Sequence, residues 1–369
     1  MNAMKTLSAG LLLWALCVLP AMAGCDWPEW KSFKRDYIGE DGRVIDPADG
    51  KRITTSEGQS YGLFFALVNN DREVFDRLLQ WTEIQLARGD LTGFLPAWQW
   101  GERPDGSWGV QDDNSASDSD LWIAYSLLEA GRLWDNHSYE SIGTLLLRRV
   151  AREEVARLPG LGPIALPGPR GFAGEGRWTL NPSYLPPQLL ARFEPMLGPW
   201  QEMRALLPRF LMESAPQGFA PDWIDWSDPA GWQVSEGKGS VGGYDAIRVY
   251  LWLGMMSDED PAKGTLLQHF EPMRALLAGG RVPERIDTRS GQINSWGGAG
   301  FAAALLPLMQ GQPGLEALRE QVSQQGMRAD AYYGSVLTLF GSGWDQGRYR
   351  FAADGTLVPN WSAACQDVR

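Results

Sequence analysis

Apolar and polar positions follow a helical period over most of the chain, and the periodic segments come in contrasting pairs. After a cap at Thr55 or Ser56, Tyr61, Phe64, Phe65, Leu67 and Val68 leave almost no polar face. The next segment, capped at Asn70 or Asp71, puts Val74, Leu78, Leu79, Trp81 and Ile84 on one side. Arg72, Glu73 and Arg77 take the other. A helix apolar all round is buried, and an amphipathic one lies outside it. The same contrast recurs at 118–134 before 138–158, and at a helix opening near Ser183 before one ending near Glu213. It recurs again at 244–256 before 262–277, and at 300–309 before 314–324. The apolar segment 331–340 has no amphipathic follower, and the segment 27–37 has no buried predecessor. Pairing these two closes the count. The pattern predicts an all-α fold, an (α/α)6 barrel of six inner and six outer helices. The Gly-, Pro- and Trp-rich stretches 159–180 and 214–240 are then rim loops with room for short strands.

The first 23 residues stand outside this pattern. Lys5 is their only charge. An apolar run over 7–19 follows, then Pro20 and the small-residue site Ala21-Met22-Ala23. This reads as a Sec-type signal peptide at 1–23, cleaved after Ala23, with export to the periplasm and a single domain over 24–369. The alternative is a membrane anchor, but the run is shorter than the ~20 apolar residues a span needs. No membrane insertion is expected after cleavage. The mature chain keeps Cys25 and Cys365, near its two ends. An oxidising compartment predicts a bridge between them, with two free thiols as the alternative.

Composition narrows the chemistry. Hydrophobic residues make up 44% and charged residues 21%, the balance of a globular protein. Acidic residues outnumber basic ones 45 to 33, for a net charge of −12. Such a chain is poorly suited to nucleic acid or to an anionic membrane face. The only histidines are His137 and His269, too few for a His-ligated metal or a Ser-His-Asp triad, so no metal and no cofactor are expected. Trp is the commonest aromatic, at 18 against 10 Tyr and 13 Phe.

In the expected barrel the inner helices run parallel, so their N-termini share one rim. Three of them carry an acid there: Glu57, Asp118 and Asp245. Taken singly, each has a structural explanation. Glu57 suits a helix dipole, Asp118 an N-cap, and Asp245 a local pair with Arg248. Taken together, three carboxylates on one rim without His or thiol suit cleavage of a glycosidic bond. One carboxylic acid protonates the leaving oxygen while a carboxylate activates water or attacks carbon. Loop tryptophans point the same way, since an indole offers a flat face to a sugar ring. Trp98, Trp100, Trp108, Trp178, Trp223, Trp226 and Trp232 fall in the predicted loops.

The segment Ala116-Ser117-Asp118-Ser119-Asp120-Leu121-Trp122-Ile123-Ala124-Tyr125 resembles the signature of glycoside hydrolase family 8. It departs at Ser119, where that pattern has Ala or Gly. Ser56-Glu57-Gly58-Gln59-Ser60-Tyr61-Gly62, Asn181-Pro182-Ser183-Tyr184, Pro221-Asp222-Trp223, Tyr244-Asp245-Ala246-Ile247-Arg248 and Asp330-Ala331-Tyr332-Tyr333-Gly334 match the family in order. Within the family, both terminal cysteines and Gly341-Ser342-Gly343-Trp344 fit the periplasmic subgroup encoded with bacterial cellulose synthase.

The resemblance implies an inverting endo-β-1,4-glucanase. Glu57 would be the general acid, Asp245 the general base, and Asp118 a third acid that grips and distorts the sugar. Tyr244 and Arg248 would hold the base and the sugar. Tyr61, Trp98, Trp178, Tyr184 and Tyr333 would also contact substrate. The implied partners are a β-1,4-glucan chain and the cellulose synthase complex, with the enzyme itself a monomer. A glucan-binding factor of the synthase with little turnover is the alternative. Xylan, mixed-linkage β-glucan and chitosan are the alternative substrates.

Overall fold

The computed structural model describes residues 27–361. The signal peptide at 1–23 and both cysteines, Cys25 and Cys365, lie outside the described residues. Helices dominate, in the order α1 (Pro28–Tyr37), α2 (Ser56–Val68), α3 (Arg72–Leu86), α4 (Ser117–Leu133), α5 (His137–Glu153), α6 (Pro187–Phe193) and α7 (Trp200–Ser214). There follow α8 (Ala246–Met255), α9 (Lys263–His269), α10 (Glu271–Leu277), α11 (Ala299–Leu305), α12 (Leu315–Gln325) and α13 (Tyr332–Asp345). No described helix is long and apolar enough to cross a membrane.

Burial separates the helices as their patterns predict. Helices α2, α8 and α11 are buried along almost their whole length, and α4 is buried from Ser117 to Gly131. In α3, α5 and α12 only one stripe is buried. Each buried helix packs on its amphipathic follower: α2 on α3, α4 on α5, α6 on α7, α8 on α9, and α11 on α12. Helix α13, near the end of the chain, packs on α1 at its start. The buried helices also touch in sequence, α2 on α4, α4 on α6, α6 on α8, α8 on α11 and α11 on α13. Phe340 of α13 meets α2 again. Its ring lies 4.6–5.4 Å from those of Phe65, Tyr61, Trp252, Trp122 and Phe64.

Five boundaries differ from the sequence expectation, and the helix expected over 300–309 is one of them, stopping at Leu305 two residues before Pro307. The helix expected over 138–158 stops at Glu153, and Val155–Leu158 instead pairs antiparallel with Gly162–Ala165 across the Pro159-Gly160 turn. The helix expected from Ser183 starts at Pro187, because Pro182, Pro186 and Pro187 have no N–H to give a ladder. A short 3-10 turn at Pro182–Tyr184 takes its place. The helix expected over 262–277 is split at Phe270, with Pro272 opening its second half. Conversely, α13 runs past 340 to Asp345. Gly341 permits this, since a Cβ there would sit 1.7 Å from the carbonyl oxygen of Ala303 on α11.

Strands are more numerous than the pattern suggests. Thr54–Thr55, Gln99–Glu102 and Trp108–Asp112 form one antiparallel sheet. The stretches read as rim loops supply a second, with Ala173–Gly174, Arg177–Leu180, Ile224–Ser227 and Gly231–Val234 in that order. A third joins Val241–Gly242, Pro283–Asp287 and Ile293–Trp296. The hairpin Tyr349–Phe351 with Leu357–Pro359 returns the chain to α4. There the side chain of Glu129, fully buried, accepts from Arg132, from Arg192 Nε at 2.6 Å and from Leu357 N at 2.8 Å.

Glu129 thus joins α4, α6 and the C-terminal hairpin, and its loss strands two guanidinium groups. Glu129→Ala should destabilise the protein by roughly 3 kcal/mol, read as a lower urea midpoint.

Candidate active site

Three helix starts converge on one side chain. Glu57 lies in the first turn of α2, where Thr55 Oγ1 accepts from Gly58 N at 3.1 Å and caps the helix. Asp118 lies in the first turn of α4, one residue past Ser117, whose N–H donates to Pro167 O at 3.0 Å. Asp245 is the N-cap residue of α8, but its carboxylate makes no cap bond. Arg248, one turn further on, is 3% exposed and reaches all three. Its Nη1 donates to Glu57 Oε2 and lies 3.4 Å from Asp118 Oδ2. Its Nη2 donates to Asp245 Oδ1 at 2.7 Å.

The structural explanations for the single acids therefore do not suffice. Ala116, not Asp118, is the N-cap residue of α4. The local Asp245–Arg248 pair is real, yet the same guanidinium holds acids from two other helices. Asp118 bears the cost of this crowding. Burial first, and then the Glu57 charge, lift its carboxyl to about 7, against the opposing pull of Arg248.

The tyrosines line this cluster. Tyr61 Oη accepts from Arg248 Nη1 at 3.0 Å, and burial pushes its phenol well above the usual range. The Arg248 guanidinium lies 5.7 Å from the Tyr184 ring, and Trp223 meets that ring edge-on at 6.1 Å. Tyr333 donates to the backbone carbonyl of Tyr244, next to Asp245. Tyr244 itself turns outward. Its ring is 44% exposed and its hydroxyl donates to Glu284 at 2.6 Å, so its side chain does not touch Asp245 or Arg248.

The two tryptophans implied as sugar platforms are half-buried on strands or at their edges. Trp98 is joined to the acid, since its carbonyl accepts from Ser56 N at 3.0 Å. Its indole bonds Asp112, and that bond is the main cause of the low Asp112 pKa. Trp178 faces Trp226 across the four-stranded sheet. Other loop tryptophans have structural work. Trp226 is buried and donates to Pro159 O at 3.0 Å, and Trp232 donates to Glu213 at 2.9 Å. Trp100 and Trp108 flank the Arg43 guanidinium at 4.4 and 5.0 Å.

Three supporting groups were not singled out by the sequence reading. Asp222 Oδ1 accepts from Gly243 N at 2.8 Å, Asp245 N at 3.0 Å and Ala246 N at 2.8 Å, so it caps α8 from outside and fixes the backbone of Asp245. Ser183 Oγ accepts from Arg248 Nη2 at 3.1 Å and donates to Asn181 Oδ1 at 2.8 Å. Both sit within matched motifs, where a lone polar residue beside proline was the available signal. The third is Ser119, the departure from the family pattern. Its hydroxyl donates to Ala116 O at 2.8 Å and lies 2.6 Å from Ser56 Oγ, tying the first turn of α4 to that of α2. Both serines are fully buried. Ser119→Ala would leave the Ser56 hydroxyl without its partner and should cost about 1–3 kcal/mol. Adding Ser56→Ala should recover part of that loss, as a double-mutant cycle in urea will measure.

Comparison with known proteins gives the family. The profile of the family described as glycosyl hydrolases family 8 matches residues 3–347. An endoglucanase of Escherichia coli O157:H7 is 49% identical over 364 residues, covering 98% of this chain and 99% of its own. An endoglucanase of Salmonella typhi is 50% identical over 355 residues, covering 96% of each. Among solved structures, the endo-1,4-D-glucanase from Vibrio fischeri ES114 superposes with a TM-score of 0.87 at 49% identity, covering 91% of this chain and 99% of that one. Carrying the family's motifs on the helix starts where its acids meet, this chain belongs to the glycosyl hydrolases of family 8.

Proposed function

We propose that this chain is an endo-β-1,4-glucanase that cleaves cellulose chains with inversion at the anomeric carbon. The observation that carries the reading is the meeting of Glu57, Asp118 and Asp245, from three separate helix starts, on the buried guanidinium of Arg248. Near-half identity to endoglucanases over the full length supports the β-1,4-glucan substrate.

Glu57 is the general acid that protonates the departing glycosidic oxygen. Asp245 is the general base that takes a proton from water on the opposite face of the ring. The two bind different nitrogens of Arg248, which keeps them apart. Inversion requires about 6.5–9.5 Å between the carboxyls, enough for the water. Asp118 grips the sugar between them. A carboxyl poised near 7 can give or accept a hydrogen bond with a ring hydroxyl. Arg248 holds the base, Tyr61, Tyr184 and Tyr333 contact the sugar beside it, the exposed ring of Tyr244 meets the sugar from outside the cluster, and Trp98 and Trp178 are platforms further along the glucan. No cofactor or metal takes part.

The closed chain of contacts among α2, α4, α6, α8, α11 and α13, each backed by an outer helix, supports an (α/α)6 barrel forming a single domain over 24–369. The protein is then exported to the periplasm by the signal peptide at 1–23. A Cys25–Cys365 bridge links the two ends of the mature chain. The enzyme acts as a monomer on glucan delivered by the cellulose synthase complex.

Reducing-sugar release should be strong on carboxymethylcellulose and weak on xylan and chitosan. Glu57→Gln and Asp245→Asn should each abolish nearly all turnover while still binding cellopentaose. NMR of the first product should show the α-anomer. The β-anomer would instead make the enzyme retaining and Asp118 its nucleophile.

Trp98→Ala and Trp178→Ala should each weaken cellopentaose binding, measured by calorimetry, with the thermal midpoint little changed. Unaltered affinity in both variants would mark these rings as structural.

A further inference from the structure

Two carboxyl groups beside the site take no part in the mechanism above. Asp120 is two residues after Asp118 on α4, so the two side chains point about 200° apart around the helix. Asp120 is fully buried and Glu154, just past the end of α5, is 1% exposed. Their carboxyls are within hydrogen-bonding reach of each other. Ser115 Oγ donates to Glu154 Oε1 at 2.6 Å. Both Asp120 oxygens and Glu154 Oε2 are buried with no N–H or serine hydroxyl to accept from.

Among the described residues no cation forms an ion pair with either. The charged groups facing the pair are Asp118 on α4 and Glu153 on α5, both acidic, and Glu153 is already paired with Arg149 and Arg152. An unpaired buried carboxylate costs several kcal/mol, and a second one beside it costs more. A proton between the two removes one charge and supplies the missing donor in a single O–H···O bond.

The pair is also built into the backbone that carries Asp118. Leu166 N donates to Glu154 O at 2.8 Å, and Ser117 N donates to Pro167 O at 3.0 Å. Residues 115–120, Glu154 and the Leu166-Pro167 strip therefore form one hydrogen-bonded block. We propose that Asp120 and Glu154 share a proton at neutral pH, and that the pair is a positioning element that locks the first turn of α4 and spares Asp118 a second negative neighbour. Its effect on turnover rests on the reading of Asp118 as the sugar-gripping acid, whereas the shared proton does not.

Burial raises both carboxyls above their ordinary range, Glu154 to about 8. The folded state therefore binds the shared proton more tightly than the unfolded chain. The stability it confers is complete at acid pH and drains away as pH rises through the raised folded value, near 8 for Glu154.

Infrared spectroscopy of the whole protein at neutral pH tests this. Beyond the bands of Glu57 and Asp118, a protonated-carboxyl C=O stretch should be present in the wild type and persist in both Asp118→Asn and Glu57→Gln. It should vanish in both Asp120→Asn and Glu154→Gln, which keep the hydrogen bond but dispense with the proton. The thermal midpoint of these two variants should also lose less than the wild type between pH 6 and about 9. Their kcat should change in its pH profile, with KM nearly constant. A wild type without the stretch, or a stretch lost only in Asp118→Asn or Glu57→Gln, overturns the proposal. If the stretch behaves as expected while Asp118→Asn turns over normally, the shared proton stands and the role given to Asp118 falls.

Discussion

A guanidinium taken out of water must recover its hydration from the groups around it, and Arg248 recovers it from acids. Its planar fork offers two nitrogens in fixed directions, so one side chain can order carboxylates from three helices, which a lysine ammonium could not do. Three acids on one cation leave a surplus of negative charge. That surplus settles on Asp118, the most buried of the three, as a raised affinity for a proton. The remaining geometry serves this meeting. Asp222 fixes the backbone on which Asp245 rides, Ser183 steadies one guanidinium nitrogen, and the Ser56–Ser119 contact sets α2 against α4.

Close helix packing keeps that meeting rigid. The ring of Phe340 bridges residues of α2, α4 and α8, the helices that carry the acids. Near it, Gly341 brings α13 onto α11 at a distance no side chain would allow. A polar cluster of this kind needs such support, because a sub-ångström shift at any helix start would leave a buried charge short of a partner.

Much of this was legible in sequence. Buried and amphipathic helices differ in their polar faces, so the inner and outer elements could be told apart and paired, α13 with α1 included. Boundaries failed at Pro186 and Pro272, since an apolar period continues across a residue that the hydrogen-bond ladder cannot, and at Glu154, where the chain leaves α5 for a strand pair. The three acids were legible as a group, because the predicted barrel puts their helix starts on one rim. Each alone had a sound local explanation, and their separate roles came only from resemblance to a family. Asp222 was not legible as a cap, because its three donors lie over twenty positions away and reach it only on folding. Ser119 looked like a harmless variation beside the acids, since its partner Ser56 belongs to another helix. Several loop tryptophans looked like sugar platforms because composition cannot distinguish an indole facing a cleft from one donating to Pro159 O.

The hydrogen bond from Ser56 N to the carbonyl of Trp98 has an evolutionary consequence. The segment bearing that indole is the same one that frames the start of α2, so under the proposed function a backbone shift there would also move Glu57. Trp178 stands on a separate sheet, anchored through Trp226 to the Pro159 turn, and is free of that coupling. Under the proposed function, the Trp178 side can therefore change for a different polysaccharide without moving α2, whereas a change in the Trp98 backbone carries the first turn of α2 with it.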